Sequence, residues 1–250
     1  IFHLSGHASP DEYQQNPIET LRTSSEGSQN IAELARKLDA TVLFASTSEI
    51  YGDAEIVPTP ESYWGNVNPV GPRSCYVEGK RFAESLFMAY HKEYRLDVKI
   101  ARIFNSYGPR LRGDGNYGRA VSRFTVQALT NQAITVYGDG KQTRSFCYVT
   151  DTVIGLVLLI ASEKTCGKVV NIGNPEETAI LELAQKIKRL TSSRSPLTFH
   201  LLPEEDPRRR CPDISLAKNI LKWEPKVGLE DGLRRTIAWF RKEQSQSEVR

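Results

Sequence analysis

The sequence predicts an α/β fold: a doubly wound parallel sheet with a smaller C-terminal α/β lobe built over its edge. Three observations lead there. Apolar runs at residues 41–46 and 98–104 have strand length and no alternation, as strands covered on both faces do. Segments with helical spacing separate such runs, which argues for parallel strands joined by helices. The later half alternates less regularly, and that places the lobe there.

Residues 1–4 read as a strand already in progress, so an N-terminal portion is expected upstream, together with any targeting or anchor segment. Residues 5–10 follow as a loop. Asn16-Pro17 suits a helix start with Pro17 at the first helical position, and Ile31, Leu34, Ala35 and Leu38 then repeat at helical spacing. The strand at 41–46 leads into Thr47-Ser48-Glu49, at the end where open α/β sheets place their ligands. Residues 53–73 form a long loop rich in Pro and Gly that carries Trp64, a length that usually signals function or disorder. The next helix, from Cys75 to about His91, is apolar on more than one side through Phe82, Leu86, Phe87, Met88 and Ala89. Such a helix is covered by the sheet and also by a partner subunit, so a homodimer is expected.

The strand at 98–104 ends at Asn105, and 111–118 is a polar, Gly-containing loop. Val121, Phe124, Ala128 and Leu129 mark a helix, and Ile134–Tyr137 a short strand. Thr150 or Asp151 is placed to cap a helix running through Ile160. Strands at 169–172 and 197–201 flank an amphipathic helix marked by Ile180, Leu183, Ala184, Ile187 and Leu190. Helices at Ser215–Leu221 and 229–240 close the chain before a polar end. On this reading 1–110 belong to the sheet domain, and 111–250 mainly to the lobe, with some segments returning to the sheet.

Composition excludes several functions. The formal net charge is +3, with Lys and Arg scattered, so charge does not suggest nucleic-acid binding. The four cysteines are far apart and read as free thiols. The four histidines have no metal-ligand spacing, so no metal site is expected. No run is long and apolar enough to span a bilayer, and no signal peptide is visible, so no membrane contact is expected from this segment.

The chemistry centres on residues 75–80. On a helix, Tyr76 and Lys80 lie one turn apart on one face. An ammonium near a phenol favours the phenolate, which would lower the Tyr76 pKa toward the working pH. A Thr47 hydroxyl bonded to it would complete a base for an alcohol proton. Alone, a Tyr-x-x-x-Lys pair is as often a surface pair; its context gives it weight.

That context is Thr47-Ser48-Glu49-Ile50-Tyr51-Gly52, Tyr63-Trp64-Gly65-Asn66-Val67-Asn68-Pro69, Tyr76-x-x-x-Lys80, Arg102-Ile103-Phe104-Asn105-x-Tyr107-Gly108-Pro109 and residues 137–144, in that order. Over essentially its whole length the chain resembles the extended short-chain dehydrogenase/reductases, which carry a Rossmann-like sheet, and among them the UDP-glucuronate decarboxylases. The Thr-Ser-Glu triplet and the Trp64 loop are the more specific elements. Related 4,6-dehydratases carry Asp-Glu where this chain has Ser48-Glu49.

The resemblance implies an NAD cofactor and a UDP-sugar substrate. It implies oxidation at C4 of the glucuronate ring while Tyr76 takes the hydroxyl proton, loss of CO₂ from the resulting β-keto acid, and return of the hydride to give UDP-xylose. Thr47, Ser48, Glu49, Tyr76, Lys80 and Arg210 are the implied catalytic residues. Leu4, Gly6, Thr23, Ala45, Ser106 and Arg119, with Tyr76 and Lys80, match positions near NAD. Arg22, Asn105, Tyr137 and Arg144, with Glu49 and Arg210, match positions around the substrate, Arg22 standing where the family usually has Lys. Arg210 would grip the sugar carboxylate bidentately.

The family's opening strand, glycine-rich turn and helix, which hold the pyrophosphate, are not present in the sequence. Three readings follow: a UDP-glucuronate decarboxylase, a nucleotide-sugar 4,6-dehydratase or 4-epimerase on the same scaffold, and an inactive, truncated subunit that pairs with an intact one. An unanchored chain would be cytoplasmic. Animal relatives sit in the Golgi lumen behind an N-terminal anchor, and an upstream anchor would place this chain there.

Overall fold

The computed structural model describes residues 1–113 and 119–247. The first part of the chain forms β1 (Phe2–His3), α1 (Pro10–Gln15), α2 (Pro17–Leu38), β2 (Val42–Thr47), α3 (Ser74–Tyr94) and β3 (Val98–Ile103). The middle forms β4 (Ser106–Tyr107), α4 (Ala120–Leu129), β5 (Ile134–Tyr137), β6 (Thr143–Ser145), β7 (Cys147–Tyr148) and α5 (Val149–Ala161). The rest forms β8 (Lys168–Ile172), β9 (Glu177–Ala179), α6 (Ile180–Thr191), β10 (Leu197–His200), α7 (Ser215–Leu221) and α8 (Leu229–Ser247).

The main sheet has the order β1-β2-β3-β8, parallel throughout. Helices cover both faces, as a doubly wound Rossmann-like sheet requires. On one face Phe44, Val98 and Ile100 pack against Ala83 and Phe87 of α3, with the Phe44 and Phe87 ring centroids 5.1 Å apart. Each of the buried Phe, Val and Ile side chains contributes about 1.5–3 kcal/mol. On the other face Leu43, Ala101 and Val170 meet Leu156 and Leu159 of α5. A separate cluster, built from α4, α6, β5 and Leu233 of α8, forms the core of the later part. β8 joins the main sheet, so the chain returns to it between β5 and α6, two of the segments that build that cluster.

Most elements start where the sequence places them; α1, the cap of α5 and the short strands β4, β6, β7 and β9 differ. α1 occupies 10–15, where the sequence reading ended a loop and had no helix. Pro10 is its first residue, and its ring pre-sets the backbone for a helical start. Neither Thr150 nor Asp151 caps α5: Tyr148 is the N-cap and makes no side-chain cap bond. The Asp151 carboxylate instead accepts the backbone N–H groups of Lys226 and Val227 at 3.0 and 2.9 Å. The expected polar loop at 111–118 lies outside the described residues from 114 onward, as do 248–250 of the polar end. No helix among the described residues is long and apolar enough to cross a membrane.

The fold demands a glycine in the turn after β2. Gly52, at φ +62, ends the short turn after β2 and bridges to Asn66, and a Cβ there would collide with the Asn66 carbonyl. That close approach fastens the Trp64 loop beside Ser48 and Glu49.

Asp151→Ala is expected to cost about 1–3 kcal/mol of unfolding free energy, since a buried carboxylate loses two part-buried, charge-assisted hydrogen bonds. Urea unfolding measures it, and a loss below about 0.5 kcal/mol would contradict the assignment.

Candidate active site

The carboxyl ends of β1, β2 and β3 open into a cavity of about 550 Å³. Parallel strands end here in loops, so the side chains that follow them converge on one space. Thr47 ends β2 and Ser48 and Glu49 follow it, Asn105 and Ser106 follow β3, and Leu4 and Gly6 follow β1. α3 contributes Tyr76 and Lys80, and the later part contributes Arg119, Tyr137, Arg144 and Arg210. All of these candidates therefore share a single cavity. Arg22 and Thr23 do not line it: both lie on α2, where Arg22 is exposed 3.8 Å from Glu26.

Tyr76 is buried, and its ring stacks on Tyr13 with centroids 5.0 Å apart and planes 1° from parallel. The Thr47 side chain hydrogen-bonds Tyr76, and the Thr47 hydroxyl oxygen accepts the Glu49 N–H at 3.2 Å. The expected lowering of the Tyr76 pKa by Lys80 is not what the structure shows. Burial, then the nearby Glu49 charge, holds the phenol above its ordinary value, while the Thr47 bond, Arg210 and Arg73 act the other way. Lys80 Nζ instead donates to the Ala45 carbonyl at 2.9 Å and lies 4.8 Å from the Phe44 ring centre. Burial brings its own pKa down to about 8, against the charge of Glu84.

Glu49 is the hub of the charged groups. Its carboxylate accepts from Arg73 at 2.7 Å and from Arg210 at 3.5 Å. Burial favours the neutral acid, yet the two arginines prevail and Glu49 stays below the ordinary carboxylate range. Arg73 also faces Asp206 at 3.8 Å, and Asp206 accepts from Arg144 at 2.8 Å. Arg208 and Arg209 turn outward to Asp53 and Glu177. Arg210 is only 10% exposed, and its Nε has no hydrogen-bond partner.

Sequence reasoning missed Arg73, Asp206, Arg123 and Tyr13. Arg73 had a usable signal, since it stands three residues before Tyr76, at the entry to α3. Arg123, over the Tyr137 ring at 5.2 Å, and Asp206 had none, because only the fold brings them to the strand ends. Among the described residues the lining carries six basic side chains (Arg73, Lys80, Arg119, Arg123, Arg144 and Arg210) against two acids (Glu49 and Asp206). An excess of cations in a half-enclosed cavity suits a ligand with several negative charges. Among the described residues no cluster of His, Cys, Asp or Glu is placed to hold a metal ion.

This architecture is a Rossmann-like sheet with a ligand-sized cavity at its strand ends. Residues 1–173 match the NAD dependent epimerase/dehydratase family, and the chain belongs to that family. It is 52% identical to UDP-glucuronic acid decarboxylase 1 of Danio rerio over 97% of this chain and 57% of that protein. It is 50% identical to UDP-glucuronic acid decarboxylase 3 of Arabidopsis thaliana over 93% of this chain and 67% of that protein. The chain thus spans a little over half to two thirds of the length of these relatives. Among solved structures, UDP-glucose 4-epimerase from Thermotoga maritima, crystallised with UDP-glucose, superposes with a TM-score of 0.90 at 31% identity. That match covers 98% of this chain and 77% of the other. A UDP-glucuronic acid 4-epimerase from Bacillus cereus, in complex with UDP-glucuronic acid and NAD, gives 0.80 at 28% identity, covering 90% and 69%.

The depressed Glu49 pKa carries a pH signature. A carboxylate whose folded pKa lies below its unfolded value stabilises the fold above the unfolded pKa and loses that contribution as pH falls. The stability of the native protein relative to Glu49→Gln is expected to be constant above pH 4.5, the ordinary glutamate value, and to shrink below it. Urea unfolding at several pH values checks this, and a pH-independent difference would contradict it.

Proposed function

We propose that this chain works in the NAD-dependent decarboxylation of UDP-glucuronate to UDP-xylose. The observation that carries the reading is Arg210: a guanidinium nine-tenths buried, its Nε without a partner, beside Glu49 and within the cavity that holds Tyr76. A planar fork with an unused donor suits a substrate carboxylate. The relatives named UDP-glucuronic acid decarboxylase support it, as does Ser48 at the position where 4,6-dehydratases carry Asp.

The residues present fit the nicotinamide-ribose end of the dinucleotide. Leu4, Gly6, Ala45, Ser106, Tyr76 and Lys80 sit together at the strand ends. Gly6 keeps the space beside Lys80 open, since a Cβ there would lie 3.4 Å from Nζ. When bound, NAD accepts a hydride from the sugar and later returns it. Among the described residues no glycine-rich turn opens a helix at the cavity, so the fit extends to that end of the cofactor alone.

The side chains divide the remaining work. Tyr76 Oη, after releasing its own proton to solvent, is a phenolate that Thr47 hydrogen-bonds; it then takes the proton of the sugar C4 hydroxyl and becomes a neutral phenol again. The 4-keto sugar is a β-keto acid. Its C5–carboxylate bond breaks because the electron pair delocalises into the C4 carbonyl as an enolate, and a proton then adds at C5. Arg210 orients the departing carboxylate. Glu49, held ionised by Arg73 and Arg210, serves with Ser48 to position the donor for that proton and is not itself the acid. Arg144 and Arg123 face the diphosphate. Burial of Tyr76, Thr47 and Ser48 keeps water from the reactive ketone.

Purified protein with NAD and UDP-glucuronate is expected to release CO₂ and form UDP-xylose without added reductant. Failure to form UDP-xylose, or turnover of UDP-glucose or UDP-galactose in its place, would move the reading to an epimerase or dehydratase. Arg210→Leu is expected to lower kcat/KM for UDP-glucuronate by about 100-fold or more.

We also propose a homodimer. α3 is covered by the sheet and by α2, yet Phe82 on α3 and Ile18, Leu21, Leu34 and Leu38 on α2 remain exposed. A second copy of this face would cover them. Light scattering at micromolar concentration is expected to give twice the chain mass; a monomer would refute the pairing.

A further inference from the structure

Behind Tyr76 and Lys80 lies a buried ion pair that the proposed chemistry does not use. Glu84 sits one helical turn beyond Lys80 on α3 and is 8% exposed. One carboxylate oxygen accepts from Ser46 Oγ at 2.5 Å and Arg102 Nε at 3.0 Å, and the other from Arg102 Nη2 at 2.7 Å. Ser46 and Arg102 are register partners across β2 and β3. Arg102 donates further to Tyr51 Oη at 2.9 Å and to the Glu61 carbonyl at 3.0 Å, and Tyr51 donates to Asn171 Oδ1 on β8 at 2.8 Å. The Glu84 carboxylate is thus fixed by groups from β2 and β3, and through Arg102 it is tied to the turn after β2 and to β8.

A buried ion pair is by itself weak evidence for stability, because desolvation offsets the attraction. What sets this one apart is its position. Ser46 lines the cavity and follows Ala45, whose carbonyl holds the Lys80 ammonium. The same short piece of β2 therefore grips α3 twice, through Lys80 and through Glu84. Lys80 is almost fully enclosed, and neutral carbonyls and a ring face supply its direct contacts.

We propose that Glu84, clamped by Arg102, is the positioning residue for Lys80: its charge keeps the enclosed lysine an ammonium, and its bond to Ser46 sets α3 against β2 so that Tyr76 and Lys80 reach the cavity together. This deepens the roles of Tyr76 and Lys80 given above and rests on them. The charged and titratable groups about Lys80 are few. β1 brings His3, whose own pKa is lowered to about 4 by burial and by Lys80, so it is neutral near pH 7. α3 brings Tyr76 and Glu84, and β3 brings Arg102 behind Glu84. β2 presents the Phe44 ring and the Ala45 carbonyl. α2 brings Ser24 against Gly79 and Ser28 against His3. Glu84 is the group whose charge opposes the effect of burial on Lys80.

The test is an NMR titration of isotope-labelled lysine ε-carbons in the protein without substrate or added nucleotide, the Lys80 signal being assigned by its loss in Lys80→Met. The midpoint is expected near about 8 in the native protein. It is expected to fall by about one pH unit in Glu84→Gln and to stay near the native value in Glu84→Asp, which keeps the charge. An unchanged midpoint in Glu84→Gln would overturn the proposal. So would equal falls in Glu84→Gln and Glu84→Asp, since a loosened helix would then account for both. Should Glu84→Gln not fold, Arg102→Gln carries the test: losing the opposing cation is expected to raise the midpoint, and no rise would overturn the proposal. Because no substrate takes part, the result stands apart from whether UDP-glucuronate is the natural substrate.

Discussion

The carboxylate of Glu49 at the end of β2 joins the two parts of the molecule. One of its arginines, Arg73, comes from the loop that enters α3; the other, Arg210, comes from the segment beyond β10. The Arg73 contact lies within the sheet part, whereas the Arg210 contact crosses from the later part. A buried carboxylate without cations would be neutral or would not stay buried. The ion pairs thus fix where the later part sits over the strand ends, and so define the cavity. Asp206 extends the arrangement by facing Arg73 and Arg144, which places acid and base alternately across the floor.

The electrostatic consequence is a division of labour by burial. Tyr76 and Lys80 are both pushed toward their neutral forms by enclosure, the phenol upward and the ammonium downward. Glu49 resists the same pressure because two guanidinium groups lie against it. The phenol therefore remains protonated until a ligand reaches it, while the carboxylate remains charged. Such separation of titration behaviour among close neighbours is what lets one cavity hold both a neutral phenol and a fixed negative charge.

Much of the fold was legible in the sequence because its signals are local. Continuous apolar runs gave β2 and β3, helical spacing gave α2, α4 and α6, and Pro17 marked the start of α2. α1 was not legible: six residues carry too little periodicity to stand out from a loop. The candidate site was legible where its residues sit at strand ends or on one helix face, as Thr47, Ser48, Glu49, Tyr76 and Lys80 do. It was not legible for Asp206 and Arg123, distant in sequence from the triplet and carrying no pattern of their own.

By itself, then, the sequence determined the alternation of strands and helices, the side of the sheet that would bind, and the types of group available there, because each follows from neighbours a few residues apart. Tertiary structure alone decided that Arg73 and Arg210 share one carboxylate, that Arg22 and Thr23 stand apart from the cavity, and that Lys80 faces a carbonyl and a ring while burial raises the Tyr76 pKa. Those outcomes depend on distance and on how much water is excluded, and both arise only once separate stretches of chain are packed together.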